Sequence, residues 1–142
     1  MAGLVSETLT ILDRFYAAEL AYLSGATGFE PVAEFLDPEI VLHQAEGLPY
    51  GGQWRGPDGL ARFMAEMART WASFEILAQE TLVDGDRVSV LSQVRARGRA
   101  TGTELEFPIL QLIRLRNGRL AEVRPFYWDT AAVAAACTGA DR

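Results

Sequence analysis

Residues 105–129 read LEFPILQLIRLRNGRLAEVRPFYWD, and this stretch decides the architecture. Two long apolar-patterned segments are joined by Asn117-Gly118. Asn-Gly between alternating hydrophobics predicts a tight β-hairpin, because both turn residues must take positive φ. A two-residue loop sets Arg116 opposite Arg119. Counted back without interruption, it sets Gln111 opposite Arg124, Ile109 opposite Phe126 and Phe107 opposite Trp128. These six then share one face, and Leu110, Leu112, Ala121 and Val123 share the other. One face is aliphatic. The other puts an amide and a guanidinium among aromatics, which is the composition of a small-molecule pocket.

Outward from the hairpin, the pattern splits into helices first and strands afterwards. Ser6 is placed to cap a helix running to about Leu23, with Leu9, Leu12, Tyr16, Leu20 and Leu23 at helical spacing. Ile11, Phe15, Ala18 and Tyr22 widen its stripe. Gly25 and Gly28 end it. A short second helix follows Pro31, and Asp37-Pro38 stops it. Ile40 to Ala45 reads as a strand. The segment from Glu46 to Gly56 is rich in Gly and Pro and carries Tyr50 and Trp54, as a lid or as an anchored loop. A third helix opens at Gly56-Pro57-Asp58, with Leu60, Phe63, Met64, Met67 and Trp71 as its stripe. Strands are expected over Phe74–Val83 and Arg87–Arg97, joined at Asp84-Gly85-Asp86. Leu105–Leu115 and Leu120–Trp128 follow, and then a short helix from Ala131 to Ala136. Segregated elements of this kind predict an α+β fold in which a curved antiparallel sheet wraps around three helices and encloses a cone.

The chain has 142 residues, which predicts a single domain over 1–142 with a sizeable core. Thirteen basic residues against nineteen acidic ones give a net charge of −6, which argues against nucleic acid as a partner. All the basic residues are arginine, so Schiff-base catalysis through lysine is excluded. One histidine and one cysteine exclude a His/Cys zinc site, and no Gly-rich phosphate loop is present, so no metal or nucleotide cofactor is expected. No apolar run reaches membrane-spanning length, and the N-terminus lacks a basic start and a hydrophobic signal core, so a cytoplasmic location away from membranes is expected.

The element order is combined with Gly52-Gln-Trp-Arg-Gly-Pro57 before the third helix. A Gly118-Arg119-Leu120 turn leads to the aromatic-Trp128-Asp129 ending. Together these features resemble the NTF2-like superfamily, and within it the SnoaL-like branch that includes polyketide cyclases. The resemblance implies a cone-shaped α+β barrel. Similarity to ketosteroid isomerases puts His43 at the position of their carboxylate base and Gln111 at that of their oxyanion-hole aspartate. Their catalytic tyrosine falls at Phe15, next to Tyr16, and Tyr127-Trp128 matches their ending. Similarity to SnoaL-type cyclases puts Asp129 near their acid/base carboxylate.

On this reading the catalytic candidates are His43, Asp129 and Gln111. His43 moves a proton beside a carbonyl, or is a core histidine satisfied by a neighbour. Asp129 tunes His43 or supplies a second proton, or only caps the last helix. Gln111 donates to an enolate oxygen. Tyr50, Trp54, Phe107, Arg124, Phe126, Tyr127 and Trp128 are candidates for binding a substrate, although Arg124 also has Glu122 within reach as an ion-pair partner. The resulting expectation is a cofactor-independent cyclase, isomerase or lyase acting on a hydrophobic, polyketide-like carbonyl compound. The alternative is a non-catalytic protein that binds such a molecule in the same cone. The sheet's outer apolar area suggests a homodimer.

Overall fold

A computed structural model describes residues 2–139, and side chains from residue 5 onward. The elements run α1 (Ala2–Leu23), α2 (Glu30–Ala33), β1 (Leu36–Gln44), β2 (Gly52–Arg55) and α3 (Gly56–Thr70). They continue with β3 (Trp71–Asp84), β4 (Arg87–Gly98), β5 (Glu104–Arg116), β6 (Arg119–Tyr127) and α4 (Thr130–Thr138). The six strands form one sheet in the order β2-β1-β6-β5-β4-β3. Every neighbouring pair is antiparallel except β1 and β6, so the sheet is mixed. The α+β cone expected from the sequence is present. None of the helices is long and apolar enough to cross a membrane among the described residues.

Several boundaries differ from the sequence expectation. α1 begins before Ser6, which therefore lies inside the helix and is not its cap. β1 begins at Leu36, so Asp37-Pro38 lies within a strand. Trp71 is the first residue of β3 and not the end of the α3 stripe. Residues 52–55 pair with β1 as an edge strand and do not form a lid.

The core lies between the inner sheet face and the helices. Leu12, Phe15 and Tyr16 of α1 are buried there, as are Leu60, Phe63, Met64 and Met67 of α3. Val88, Val90, Val94 and Ala96 of β4 face them from the sheet.

The decisive turn forms as its sequence requires. Asn117 has φ +53° and Gly118 φ +76°, and Arg116 faces Arg119. The register then shifts once. Leu115 pairs with Leu120 but Arg114 pairs with Glu122, so Ala121 is an extra residue in β6. This is a β-bulge, and beyond it every β6 side chain takes the face opposite to that of an unbroken ladder. Gln111 therefore pairs with Pro125, and Ile109 with Tyr127. Arg124 lies opposite Leu112 and Phe126 opposite Leu110, on the outer face. The six-residue cluster counted from the turn does not exist as a cluster. Burial fits the bulge: Leu120, Ala121 and Val123 are all buried, whereas Phe126 is 53% and Trp128 84% exposed.

Candidate active site

Between α1, α3 and the inner sheet face lies a cavity of about 50 Å³. Its wall is mostly apolar, with Phe15, Leu42, Phe63, Met67, Ile109 and Val123 among the lining residues. Six polar side chains reach it: Tyr16, Glu19, Gln44, Ser92, Gln111 and Tyr127. A few polar groups inside an apolar lining are what orient a bound small molecule.

The α1 helix supplies two of them. Residues 12, 15, 16 and 19 share one helical face, so the stripe that buries Leu12, Phe15 and Tyr16 also carries Glu19 inward. Burial pushes the Glu19 carboxyl up from 4.5 to about 7. Tyr16 donates its hydroxyl proton to Gln111 Oε1 across the cavity wall. Burial, and then the Glu19 charge, hold the Tyr16 phenol well above its ordinary range, so it stays protonated. With its carbonyl accepting from Tyr16, Gln111 has its amide N–H groups left to give, and among the described residues nothing accepts them.

Gln44 comes inward from β1 and is 7% exposed, and its Oε1 has no hydrogen-bond partner among the described residues. Leaving such an acceptor unsatisfied costs about 1–3 kcal/mol, which a donor on a bound molecule would recover. Ser92 Oγ accepts from Gln79 Nε2 at 2.9 Å.

The sequence candidates divide between the two faces. Gln111 and Tyr127 line the cavity. Phe107 is buried beside it, its ring stacked at 5.8 Å on Tyr127 and 6.1 Å on Trp71. Tyr50 is 1% exposed and stands behind the wall, its hydroxyl 2.9 Å from that of Tyr127. Trp54 packs on Phe63 at 5.8 Å and donates to the Tyr50 carbonyl at 3.1 Å, so it anchors its loop.

His43 is on the outer face. Leu42 pairs with inward Val123, so the next residue of the strand must point outward. Its Nδ1 lies 3.3 Å from the Gln53 amide nitrogen and its Nε2 3.0 Å from Glu122 Oε2. An amide N–H can only donate, so Nδ1 accepts and Nε2–H donates to Glu122. Glu122 is also 3.3 Å from Arg124 and 3.6 Å from Arg114. Burial pushes the Glu122 carboxyl up, but the hydrogen bond from His43 and the charges of Arg124 and Arg114 outweigh it and hold the carboxyl below its ordinary value.

Asp129 is exposed and accepts from the Ala132 N–H at 3.0 Å, capping α4. The imidazole and the Gln111 carboxamide thus lie on opposite sides of the sheet. Neither His43 nor Asp129 reaches the cavity, and Arg124, Phe126 and Trp128 do not line it. Sequence reasoning passed over Glu19, Gln44 and Ser92. For Glu19 the signal was visible: a carboxylate three residues after Tyr16, on the apolar stripe of an amphipathic helix.

A curved mixed sheet closing over N-terminal helices around a mostly apolar cavity defines the NTF2-like class. The chain belongs to the SnoaL-like family, whose domain model matches residues 12–123. An NTF2-like protein from Burkholderia xenovorans is similar in structure, with TM-score 0.81, 22% identity, and coverage of 94% of this chain and 97% of that one. TerC, crystallised with polyporic acid, gives TM-score 0.78 at 19% identity, covering 92% of this chain and 98% of TerC. A protein from Jannaschia sp. CCS1, provisionally a SnoaL-like polyketide cyclase, gives TM-score 0.78 at 18% identity, covering 94% and 92%. At these identities the likeness is one of fold. No curated protein matches the chain significantly.

Proposed function

We propose that the inner cavity is an active site for acid–base chemistry on a small, mostly apolar carbonyl compound. Glu19 is the proton-transfer group. In its ionised form it takes a proton from the carbon next to the carbonyl. The electron pair moves onto the carbonyl oxygen, which the Gln111 amide N–H stabilises as an enolate. Glu19, now protonated, returns the proton to another carbon, or to a leaving oxygen. Isomerisation, cyclisation and dehydration share this first step. Tyr16 is a positioning residue: it fixes Gln111 with its amide nitrogen free.

The observation that carries this reading is a carboxyl inside an apolar cavity, sharing a wall with an unspent amide donor; burial there pushes the carboxyl up to about 7. An acid/base whose pKa lies near working pH is the efficient one. The likeness to TerC supports a small-molecule occupant. A cavity of about 50 Å³ is well below the roughly 300–1,000 Å³ of sites for larger ligands, so the ligand is small or the Phe63 and Met67 side chains move aside.

The test is deuterium uptake at the α-carbon of small enolisable ketones in heavy water, followed by NMR. Glu19→Gln is expected to slow catalysed exchange by ~10²-fold or more, with the ketone still bound. His43→Ala is expected to leave it unchanged. Ketone binding with no exchange above background in the wild type would establish the binding-protein alternative instead.

We also propose a homodimer formed through the outer sheet face. Leu82, Leu91, Leu110, Leu112, Phe126 and Trp128 are all exposed, and an apolar surface of that kind favours a partner.

A further inference from the structure

Behind the cavity wall runs a buried chain of hydrogen bonds from Trp71 through Tyr50 to Tyr127. Trp71 and Tyr50 are 3% and 1% exposed, so neither can exchange hydrogen bonds with bulk water. The Trp71 indole N–H lies 3.3 Å from the Tyr50 hydroxyl oxygen, and an indole nitrogen can only donate. That contact makes Tyr50 oxygen an acceptor. Among the described residues, the one other partner of the Tyr50 hydroxyl is the Tyr127 hydroxyl, at 2.9 Å.

Two arrangements are then possible. If Tyr127 donated to Tyr50, the Tyr50 proton would be buried with no acceptor among the described residues, a costly state. If Tyr50 donates to Tyr127, every proton in the buried part of the chain is used. The second arrangement leaves one proton over, that of Tyr127, and Tyr127 is the member of the chain that lines the cavity. Stacking of its ring on Phe107 holds the phenol in place.

We propose that Trp71, Tyr50 and Tyr127 form a one-way hydrogen-bond relay that presents the Tyr127 hydroxyl proton to an oxygen of the bound molecule. Tyr127 contacts the ligand. Tyr50 and Trp71 are positioning residues that touch only protein. Each hydrogen bond polarises the next, so the terminal donor is stronger than an isolated phenol. The ligand group it fits is an acceptor oxygen: a carbonyl, an enolate or a phenolate. This rests on the cavity being the binding site and adds to Gln111 a second donor from the opposite strand of the hairpin.

The experiment titrates the protein with para-nitrophenol, whose absorption separates the ionised from the neutral form in the bound state. The wild type is expected to bind the ionised probe. Tyr127→Phe is expected to weaken that binding by ~10-fold or more and to raise the pKa of the bound probe by about one unit. Tyr50→Phe is expected to move both readouts in the same direction by a smaller factor, ~3-fold, because Tyr127 keeps its proton but loses its polarising partner. A merely structural role would not move the probe's ionisation.

Wild-type binding and ionisation in both folded variants would overturn the relay. Should Tyr127→Phe fail to fold, Tyr50→Phe decides alone, and an unchanged bound pKa overturns it. Glu19→Gln separates the two proposals. Loss of ketone exchange with the Tyr127 effect intact supports both, whereas exchange persisting in Glu19→Gln with the Tyr127 effect intact overturns only the role of Glu19. No probe binding by the wild type overturns both.

Discussion

Replacing Glu19 by Gln should make the protein more stable at alkaline pH and leave it unchanged in acid. Burial raises the carboxyl from 4.5 to about 7, so the native state holds this proton more tightly than the unfolded chain does. Stability that depends on it is therefore fully present below about pH 4.5 and is lost as pH rises through about 7. Each pH unit across that window is worth about 1.4 kcal/mol, so the whole loss is about 3 kcal/mol. This is an upper bound, because Glu19 keeps partial exposure and water relieves some of the cost. Gln is nearly isosteric and does not titrate. At about pH 8 the variant should gain up to ~3 kcal/mol, which in a chain of this size is a Tm higher by about 10 °C. At about pH 4 the two proteins should melt together. Urea unfolding followed by circular dichroism across this range measures the difference. A difference independent of pH would show that Glu19 is hydrated in the folded state and is not a tuned acid/base.

Gln44→Met removes the unpartnered buried acceptor, so the melting temperature should rise by an amount equivalent to about 1 kcal/mol in a calorimeter, while affinity for a ligand hydroxyl falls. Asp129→Ala deletes the α4 cap and should cost about 1 kcal/mol in a denaturant titration, with no effect on ketone exchange. Gly98 admits no side chain, because a Cβ there would stand 2.0 Å from the Ala136 carbonyl oxygen; Gly98→Ala should displace α4 and lower the Tm by several degrees. Trp128→Ala should leave monomer stability nearly unchanged, since the ring is 84% exposed, but should shift sedimentation toward monomer.

Much of the fold was legible because local chemistry and tertiary structure agree. Asn117-Gly118 demands its turn, and the α3 stripe demands its burial. The site was harder to read for one physical reason. A strand's alternation says which residues share a face but not which face is inside. Val41-His43 and Leu42-Gln44 are nearly matched in polarity, and only the parallel pairing of β1 with β6 settles that Gln44 points inward. The bulge at Ala121 adds the second ambiguity. Nothing in Leu120-Ala121-Glu122 announces an extra residue, yet that single residue moves Arg124, Phe126 and Trp128 to the outer surface and brings Tyr127 inward. Gln111 keeps the inward face read for it because it lies on the unbulged strand, although its neighbour across the ladder is Pro125 and not Arg124. Glu19 was overlooked because a lone carboxylate within a long helix, between Ala18 and Leu20, reads as a solvated position until the sheet closes over it.

A crystal structure with para-nitrophenol bound is the most direct test. The probe's oxygen is expected within hydrogen-bond reach of Gln111 Nε2, inside the cone and beside the Glu19 carboxyl. Density on the outer face against His43 and Arg124, with the inner hollow unchanged, would contradict it.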